Sequence, residues 1–415
     1  MKKITLLTLL VLSVFGINAQ TKILFDATKA QMAGNADWVI DADLHNIGCN
    51  TGPCVVGGGN ESNPQQIPTP LQSSISASTV ETYWQGALSN WGIDCVKKGY
   101  VVETLPYNGQ ITYNNPSNLQ DLSNYKVFVI DEPNISFTAT EKTAIMNFVK
   151  NGGGLCIISD HNISDRNNDG IDSPHALNDL MTNNTVQNNA FGITFDYVNI
   201  SQTSTVVANL PGNTVLNGSA GNVSQVKWSN GTTMTLNTSN NSSALGLVYT
   251  TGSSATGLLN VMCASATYLS GKIVAFGDSS IADDGTGDTG DTLYNGYTLD
   301  AAGNHQKLLM NAIVWLATSS PLATTNFEDT KINISIAPNP VKNNELNLNY
   351  VASSNEPIAI VIYDTVGRII KNLKEVNCNV GVNLEKIYIE DLKSGIYFCN
   401  VSNGAISKSL SFIVR

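Results

Sequence analysis

Four short apolar segments in the first two thirds of the chain each run directly into acidic residues. Each segment has the length and the Val, Ile, Leu and Phe content of a strand that is buried on both faces. In an open sheet, the carboxyl ends of parallel strands meet at one edge, and ligands bind beyond that edge. We therefore expect the acids that end these segments to face a common edge; they are Asp26, Asp131, Glu132, Asp160 and Asp278.

Helical segments alternate with these strands, which predicts an α/β fold. A Thr-Ala-Thr-Glu capping box at residues 138–141 starts one helix, and three glycines at residues 152–154 end it. Amphipathic patterns predict further helices over residues 79–90 and 304–316. We expect a mainly parallel sheet flanked by helices on both faces, with a β-rich insertion over residues 193–250.

Residues 1–19 have the pattern of a cleaved secretory signal peptide. Lys2 and Lys3 precede an apolar run over residues 4–17, and the small residue Ala19 follows that run. No later apolar run approaches about 18 residues, the length of a membrane-spanning helix. We therefore expect a secreted or surface-attached protein that does not span the membrane.

The charge distribution separates an acidic body from a near-neutral tail. The chain has 22 Lys and Arg residues against 33 Asp and Glu residues, so it lacks the basic footprint of a nucleic-acid binder. Residues 331–415 hold nine of the basic and seven of the acidic residues, and the acidic excess therefore belongs to the body. A Ser/Thr-rich segment at residues 319–333 is the predicted linker between the body, residues 20–318, and the tail, residues 334–415.

The tail consists of short segments that alternate apolar and polar residues, which predicts a small C-terminal β-sandwich. Its motifs include Ala-Pro-Asn-Pro at residues 337–340, Leu-Asn-Leu at 346–348 and Gly-Ile-Tyr-Phe at 395–398. In combination these motifs resemble the C-terminal sorting domain of the type IX secretion system. The resemblance implies the secretion machinery as a partner, export across the outer membrane, and release or attachment at the cell surface. An ordinary adhesion-type sandwich is the alternative.

Three segments of the body carry a second resemblance. They are residues 125–133 (YKVFVIDEP), residues 137–141, and residues 148–155, which lead to Asp160 and His161. These segments resemble the class I glutamine amidotransferase-like superfamily, especially its ThuA-like and other non-amidotransferase branches. The resemblance implies the fold and a site at the strand edge. Working members carry a nucleophilic Cys at the turn after this strand, where this chain has Ser159, Asp160 and His161, so amidotransferase activity is not implied.

Carboxylates that share one edge repel one another, and a bound cation relieves that repulsion. The pattern of strand-end acids therefore predicts a divalent cation at the edge, with calcium as the expected ion. Its predicted ligands are Asp26, Asp160 and Asp278. The alternative is that each Asp only caps the turn or helix that follows it.

The loop after the third strand adds a second candidate calcium site. Asp165, Asn167 and Asp169 alternate before Gly170, as in the first half of a calcium-binding loop. The Glu that ends such a loop is missing, and Asp172 would replace it. The alternative is an Asx-rich turn whose side chains bond their own backbone.

Two further segments are candidates for the same edge. Trp38 follows the first strand and would either stack on a sugar or pack in the core. A second loop follows Asp278, and its acids would either bind an ion or stay solvated; they are Asp283, Asp284, Asp288 and Asp291.

His161 lies beside Asp160, which makes it a candidate general acid or base. The predicted catalytic residues are Glu132, Asp160, His161 and Asp278. We expect a secreted metal-dependent hydrolase that acts on a glycan or a glycan-derived molecule. One alternative is a non-enzymatic, calcium-stabilised protein of the cell surface that binds a ligand or acts as an adhesin. The other is an acyl hydrolase with a serine or cysteine nucleophile.

Overall fold

The computed structural model describes residues 20–41, 72–287, 291–292, 294–318, 334–352, 355, 357–402 and 407–415. The predicted signal peptide, the predicted linker and Asp288 lie outside these residues. The chain divides into two compact units, residues 1–322 and 323–415. The body belongs to the first unit and the tail to the second, and each is described by itself.

The described part of the body contains four α-helices, which are α1 (Ser89–Lys97), α2 (Ala139–Lys150), α3 (Ser173–Thr182) and α4 (Asn304–Ala317). Its strands in chain order are β1 (Lys22–Asp26), β2 (Val101–Leu105), β3 (Val127–Asp131), β4 (Gly154–Ile158), β5 (Ile193–Phe195), β6 (Ile200–Ser204), β7 (Val206–Val207), β8 (Asn217–Gly218), β9 (Gly221–Asn222), β10 (Val226–Gly231), β11 (Met234–Leu236), β12 (Leu245–Tyr249), β13 (Val261–Tyr268) and β14 (Gly271–Phe276).

Ten of these strands form one mixed sheet in the order β2-β1-β3-β4-β14-β13-β11-β5, with β12 beside β13 and β7 beside β12. The strands from β2 to β14 in this order run parallel. The strands beyond β14 are antiparallel. The expectation of a mainly parallel sheet therefore holds only for the half that ends at β14. The β-rich insertion supplies four of the five strands beyond β14, and β13 follows it in the chain. Short connections suit such antiparallel neighbours.

Helices cover both faces of the sheet. Successive residues of a strand point to opposite faces. On β14, a Cβ atom at Gly271 would lie 1.8 Å from the carbonyl oxygen of Val149 in α2. The next residue, Lys272, donates from Nζ to the carbonyl oxygen of Trp315 in α4 at 2.9 Å. The helices α2 and α4 therefore pack on opposite faces, as the α/β pattern predicts.

The start of α2 confirms the predicted capping box. The Thr138 side chain accepts a hydrogen bond from the Glu141 backbone N–H, and the Glu141 side chain accepts one from the Thr138 backbone N–H. These two bonds satisfy donors that have no partner inside the helix. Since α2 begins just after β3, its first turn lies at the carboxyl end of that strand.

The predicted helix over residues 79–90 is wrong. The segment forms a short 3₁₀ turn at Glu81–Tyr83, and α1 begins only at Ser89. The backbone N–H of Leu88 donates to the carbonyl oxygen of Val39 at 3.0 Å. A Cβ atom at Gly86 would lie 2.1 Å from that same oxygen. This close approach of two backbone segments overrides the amphipathic pattern, because the N–H groups of residues 87 and 88 donate to another loop and not to helical carbonyl oxygens.

The tail contains a three-stranded antiparallel sheet, β15-β16-β19, and a four-stranded antiparallel sheet, β18-β17-β20-β21. Apolar residues of both sheets form one core, as expected for the predicted β-sandwich. The strands are β15 (Ile334–Ile336), β16 (Glu345–Ala352), β17 (Ile358–Tyr363), β18 (Ile369–Val376), β19 (Gly381–Tyr388), β20 (Gly395–Ser402) and β21 (Ser407–Val414).

The contact between β14 and α2 leaves no room for a side chain at Gly271. We expect Gly271→Ala to lower the free energy of unfolding of the body by about 3 kcal/mol, because the added methyl group overlaps backbone atoms that cannot rotate away. Urea unfolding of the full chain measures this loss. Gly212→Ala is the matched control, since a Cβ atom at Gly212 has no neighbour within 4 Å. Equal stability of the two variants would contradict the packing argument.

Candidate functional site

The residue directly after β3, Glu132, has an unusual backbone. Its φ angle is +35°, in a region that residues with a side chain rarely adopt. Its backbone N–H donates to the carbonyl oxygen of Ile158 at the end of β4, at 2.9 Å. Glu132 is fully buried, and its carboxylate accepts hydrogen bonds from Trp38 Nε1 at 2.5 Å and Ser279 Oγ at 2.8 Å. A strained and fully bonded buried carboxylate at a strand edge is typical of functional sites.

Arg166 connects Glu132 to Asp160. Its Nε donates to Glu132 Oε1 at 2.5 Å, and its Nη2 lies 3.2 Å from Glu132 Oε2 and 3.1 Å from Asp160 Oδ2. Its Nη1 donates to Asn35 Oδ1 at 3.0 Å. The guanidinium thereby supplies positive charge to Glu132 and to Asp160, and Asp160 is one of the acids for which the sequence predicted a cation. Sequence reasoning missed this role, although Arg166 is the one basic residue in the acidic segment 160–172.

His161 and Asp160 form a pair at the same edge. His161 Nδ1 lies 3.0 Å from Asp160 Oδ1, and the His161 backbone N–H donates to the same oxygen at 2.7 Å. The Asp160 backbone N–H donates to Ser173 Oγ at 2.7 Å, which holds the turn. Burial alone would lower the pKa of His161, but the hydrogen bond and charge of Asp160, with the charge of Glu132, raise it above the ordinary value. The imidazole therefore stays protonated to a higher pH than an ordinary histidine does.

A cavity of about 390 Å³ opens beside this pair. Its ionisable lining consists of Asp160, His161, Arg166 and Asp283, and Trp38 and Tyr294 contribute aromatic rings. The remaining lining side chains carry hydroxyl or amide groups; they are Asn35, Ser229, Asn230, Ser280 and Thr292. We call this space the His161 cavity. Its walls combine aromatic rings with many hydrogen-bonding groups, which suits a polar organic ligand.

Two further strand-end acids lie behind the His161 cavity. Asp278 is fully buried, and its side chain accepts backbone N–H bonds from Ser229 and Ser280. Burial, followed by the charge of Asp160, raises the pKa of Asp278 well above its ordinary value. Asp131 is 1% exposed, and neither of its carboxyl oxygens has a hydrogen-bond partner among the described residues. Neither Asp131 nor Asp278 lines the cavity, and Glu132 does not line it either.

Asp26 is held by its own loop instead of by the other acids. Its carboxylate accepts hydrogen bonds from the Thr28 backbone N–H at 3.0 Å, from Thr28 Oγ1 at 2.8 Å and from Gln31 Nε2 at 3.0 Å. Burial raises its pKa, and the nearby charge of Lys29 opposes that rise. The predicted grouping of Asp26 with Asp160 and Asp278 therefore lacks support in the side-chain contacts.

The candidate calcium loop is bonded to itself. The Asp165 carboxylate accepts backbone N–H bonds from Asp169 at 3.2 Å and Gly170 at 2.7 Å. Asp169 accepts one from Ile171 at 2.8 Å, and Asn167 Nδ2 donates to its other oxygen at 3.0 Å. Among the residues that the structure describes, no group of three or more His, Cys, Asp or Glu side chains is arranged to hold a metal ion. The Asx-turn alternative thus accounts for the observed bonds.

Asp172 has a different place from the one predicted for it. It is the N-cap of α3, where its Oδ1 accepts the His175 backbone N–H at 3.1 Å and lies 2.5 Å from His175 Nδ1. Its Oδ2 accepts the Ile163 backbone N–H at 2.7 Å. Asp172 therefore closes the loop onto α3 and does not join the Asp165 cluster.

Two acids of the second loop, Asp283 and Asp284, bond backbone groups. Asp283 accepts the backbone N–H groups of Gly285 and Tyr294, each at 2.8 Å, and Asp284 accepts that of Asn90 at 2.7 Å. Burial raises the pKa of Asp283 to about 7 and that of Asp284 to about 6. Of these two, only Asp283 reaches the His161 cavity.

The candidate nucleophiles of an acyl hydrolase are enclosed. Ser159 is fully buried, and its hydroxyl bonds the Asp160 carbonyl oxygen at 3.1 Å and the Ser173 hydroxyl at 3.2 Å. Cys156 is fully buried on β4, and burial raises the pKa of its thiol well above the ordinary value. Neither group faces a cavity from which a substrate would be attacked.

The tail belongs to a known family. Residues 335–415 match the family model described as the secretion system C-terminal sorting domain. The tail is therefore the sorting domain of the type IX secretion system, the protein is secreted or located at the cell surface, and it interacts with the secretion machinery. In the described part of the chain, no helix is both long and apolar enough to cross a membrane.

The comparisons say less about the body. No curated protein is significantly similar to the chain. Solved structures include the mmIFT52 N-terminal domain, with 15% identity, a TM-score of 0.41, and coverage of 72% of this chain and 98% of that one. A cytoplasmic protein from Salmonella typhimurium has 14% identity, a TM-score of 0.36, and coverage of 71% and 98%.

A third similar structure is PorZ, a surface component of the type IX secretion system of Porphyromonas gingivalis. It has 19% identity and a TM-score of 0.17, and the match covers 22% of this chain and 12% of that one. All three TM-scores are below 0.5 and carry no argument about the body. Its amidotransferase-like resemblance stays an interpretation.

The unbonded carboxyl of Asp131 predicts a pH-dependent stability. Burial, with the charges of Glu132 and Asp160, raises its pKa, so the folded state keeps a proton that the unfolded chain releases above about pH 4. The free energy of unfolding therefore falls as the pH rises from 4 towards the folded-state pKa. We expect Asp131→Asn to be more stable than the wild type at pH 8, by about 1 kcal/mol or more, and similar at pH 4.

Thermal melts of the full chain between pH 4 and pH 8 measure this difference. Asp121→Asn is the matched control, because the contribution of Asp121 to stability changes with pH in the opposite direction. Burial would raise the pKa of Asp121, but hydrogen bonds from Ser123 and Thr112 lower it, so its stabilisation is present above about pH 4 and lost in acid. Parallel melting curves for wild type and Asp131→Asn across the whole range would refute the assignment of Asp131.

Proposed function

We propose that the body is a secreted hydrolase that acts on a glycan or a glycan-derived molecule in the His161 cavity. The observation that carries the proposal is the His161–Asp160 pair in the lining of that cavity, with Nδ1 and Oδ1 3.0 Å apart. A histidine whose ring is oriented by a carboxylate can transfer a proton to or from a bound molecule.

The electrostatics of the pair favour His161 as the acid. The raised pKa of His161 keeps the ring protonated to higher pH than an ordinary histidine. In hydrolysis this proton would pass to the oxygen of the leaving group as the bond between that oxygen and carbon breaks. The hydroxyl group of a water molecule would add to the carbon, and the remaining proton of that water would return to the imidazole ring. Asp160 orients the imidazolium, while Arg166 and Glu132 hold Asp160 in place.

The substrate class follows from the lining of the cavity and from the secretion route. Sugars offer hydroxyl groups to hydrogen-bonding side chains and a C–H face to aromatic rings. Trp38 and Tyr294 supply the rings, while Asn230, Ser229 and Thr292 are among the donors and acceptors. A protein exported to the cell surface meets polysaccharides, which agrees with this class.

A divalent cation is not a required part of this scheme at the strand edge. Arg166 already bridges Glu132 and Asp160. Asp278 bonds backbone N–H groups and has a raised pKa. If calcium is held at this edge, Asp160 and Asp278 are the residues that would hold it.

We expect His161→Gln to lower the hydrolysis rate by about 10²–10⁴-fold, because it removes the proton donor from the cavity. Asp160→Asn should lower the rate as well and should change its pH dependence, since the ring loses its carboxylate partner. Wild-type activity should fall as the pH rises through the pKa of His161, above 6.5.

The measurement is the release of reducing sugar from a panel of polysaccharides by the secreted full chain. His175→Gln is the matched control, because His175 is a half-exposed histidine of α3 that does not line the cavity. Unchanged turnover in His161→Gln, or no turnover by the wild type on any polysaccharide, would reject the proposal.

A second candidate function is a calcium-stabilised binding or adhesin protein without turnover. One observation favours it: Gly170 has a φ angle of +90°, the sharp turn that the glycine of a calcium loop makes after its first three ligands. In this reading Asp165, Asn167 and Asp169 would hold the ion and give up their present bonds to the backbone.

The binding function predicts a melting temperature that depends on calcium. At a calcium concentration 100 times the dissociation constant, binding stabilises the folded state by about 2.7 kcal/mol. We expect a chelator to remove this gain, and Asp165→Asn with Asp169→Asn to abolish the response to calcium. Asp300→Asn, a carboxylate outside the loop that pairs with Lys227, should keep the response. Identical melting of the wild type with calcium and with chelator would exclude this function.

A further inference from the structure

A second cavity lies in the body, between the loop at residues 109–113 and the first half of α2. Its volume is about 450 Å³, and residues 138–147 of the α2 region form its other wall. We call it the α2 cavity. It shares no lining residue with the His161 cavity. Its lining runs from Thr138, the N-cap of α2, along the helix to Asn147.

The loop wall of the α2 cavity is held rigidly. The carboxylate of Asp121 accepts hydrogen bonds from Thr112 Oγ1 at 2.6 Å and from the backbone N–H groups of Asn114 and Asn115, each at 2.9 Å. Ile111 is buried in the core. A wall that is ordered before a ligand arrives loses little conformational entropy on binding.

The α2 cavity carries no unpaired charge among its described lining residues. Glu141 is the one ionisable acid or base there besides the Tyr113 phenol. Both carboxylate oxygens of Glu141 accept from Lys29 Nζ at 2.8 Å, and one of them also accepts the Thr138 backbone N–H at 2.8 Å. A charged ligand would therefore lose hydration without finding an opposite charge, whereas a neutral polar ligand needs only hydrogen bonds to replace its hydration.

Three polar groups of this lining have no hydrogen bond within the described protein. They are the side-chain amides of Gln110 and Asn147 and the hydroxyl of Tyr113, which come from both walls. A carboxamide and a phenol can each donate and accept, as the hydroxyl groups of a sugar require. The Tyr113 ring meets Phe148 edge-on at a centroid distance of 6.4 Å, which positions it beside the cavity.

We propose that the α2 cavity is a binding site for a neutral sugar unit. Gln110 and Asn147 bond its hydroxyl groups from opposite walls, and Tyr113 offers its ring and hydroxyl. The site does not depend on the proposed hydrolysis, because none of its residues belongs to the His161 cavity.

Saturation-transfer NMR of the secreted full chain tests the proposal. The probes are the methyl glycosides of glucose, galactose, mannose, xylose and N-acetylglucosamine. We expect saturation transfer to at least one of them, weakened about tenfold or more by Gln110→Ala combined with Asn147→Ala. Both side chains reach the surface, so folding should be kept, and thermal melts verify this. Tyr113→Ala should have the same effect.

A matched control variant lies outside both cavities. Asn183→Ala changes an amide at the end of α3 and should bind as the wild type does. The proposed hydrolase would also bind a sugar in the His161 cavity, so the transfer measured for each variant is compared with that of the wild type. Transfer in the Gln110/Asn147 double variant that equals the wild-type transfer, or no transfer from the wild type to any probe, would overturn the proposal.

Discussion

The body buries several carboxyl groups at one sheet edge, and it can do so because Arg166 is bound among them. The guanidinium makes two hydrogen bonds to Glu132 and one to Asp160, so two of the acids share one opposite charge. Removing one partner of such a buried pair is far more costly than removing an exposed one. Asp131 and Asp278 have no such partner, and burial raises the pKa of both well above the ordinary value. Burial also raises the pKa of Glu132, to about 7, although the charge of Arg166 opposes the rise. The arrangement of the buried carboxyl groups at this sheet edge therefore depends on charge balance as much as on packing.

The same charge balance, together with backbone hydrogen bonds, positions Asp160 and His161 at the cavity. Glu132 is locked to the end of β4 by its backbone N–H, and Ser159 is locked to β14 through the carbonyl oxygen of Phe276 at 2.9 Å. These bonds fix the turn that carries Asp160 and His161. With one side of Asp160 held by Arg166, its other side orients the imidazole. The turn that carries the proposed proton donor is thus bonded to the ends of three neighbouring strands, which hold it more rigidly than a free loop would.

Much of this arrangement was predictable from local sequence. The unbroken apolar strands, the capping box at residues 138–141 and the sorting-domain motifs each depend on neighbours a few residues away. The helix over residues 79–90 was wrong, since backbone bonds to residue 39 replaced helical ones. Arg166 was missed as a counter-charge because the acids that it binds lie up to 34 residues away in the chain. Asp26 shared the strand-end pattern, but its carboxylate accepts hydrogen bonds from the nearby residues Thr28 and Gln31 and not from groups near the other acids.

By itself, the sequence determined that the chain is exported, that its tail is a sorting domain, and that acids follow the strands of an α/β body. These properties follow from the periodicity of apolar residues and from short motifs, which can be recognised without knowledge of long-range contacts. Only the tertiary structure decided that half of the sheet is antiparallel, that Glu132 and Asp278 lie behind the cavity while His161 faces it, and that a neutral cavity lies beside α2. Burial and charge pairing arise between residues far apart in the chain, so no local pattern contains them.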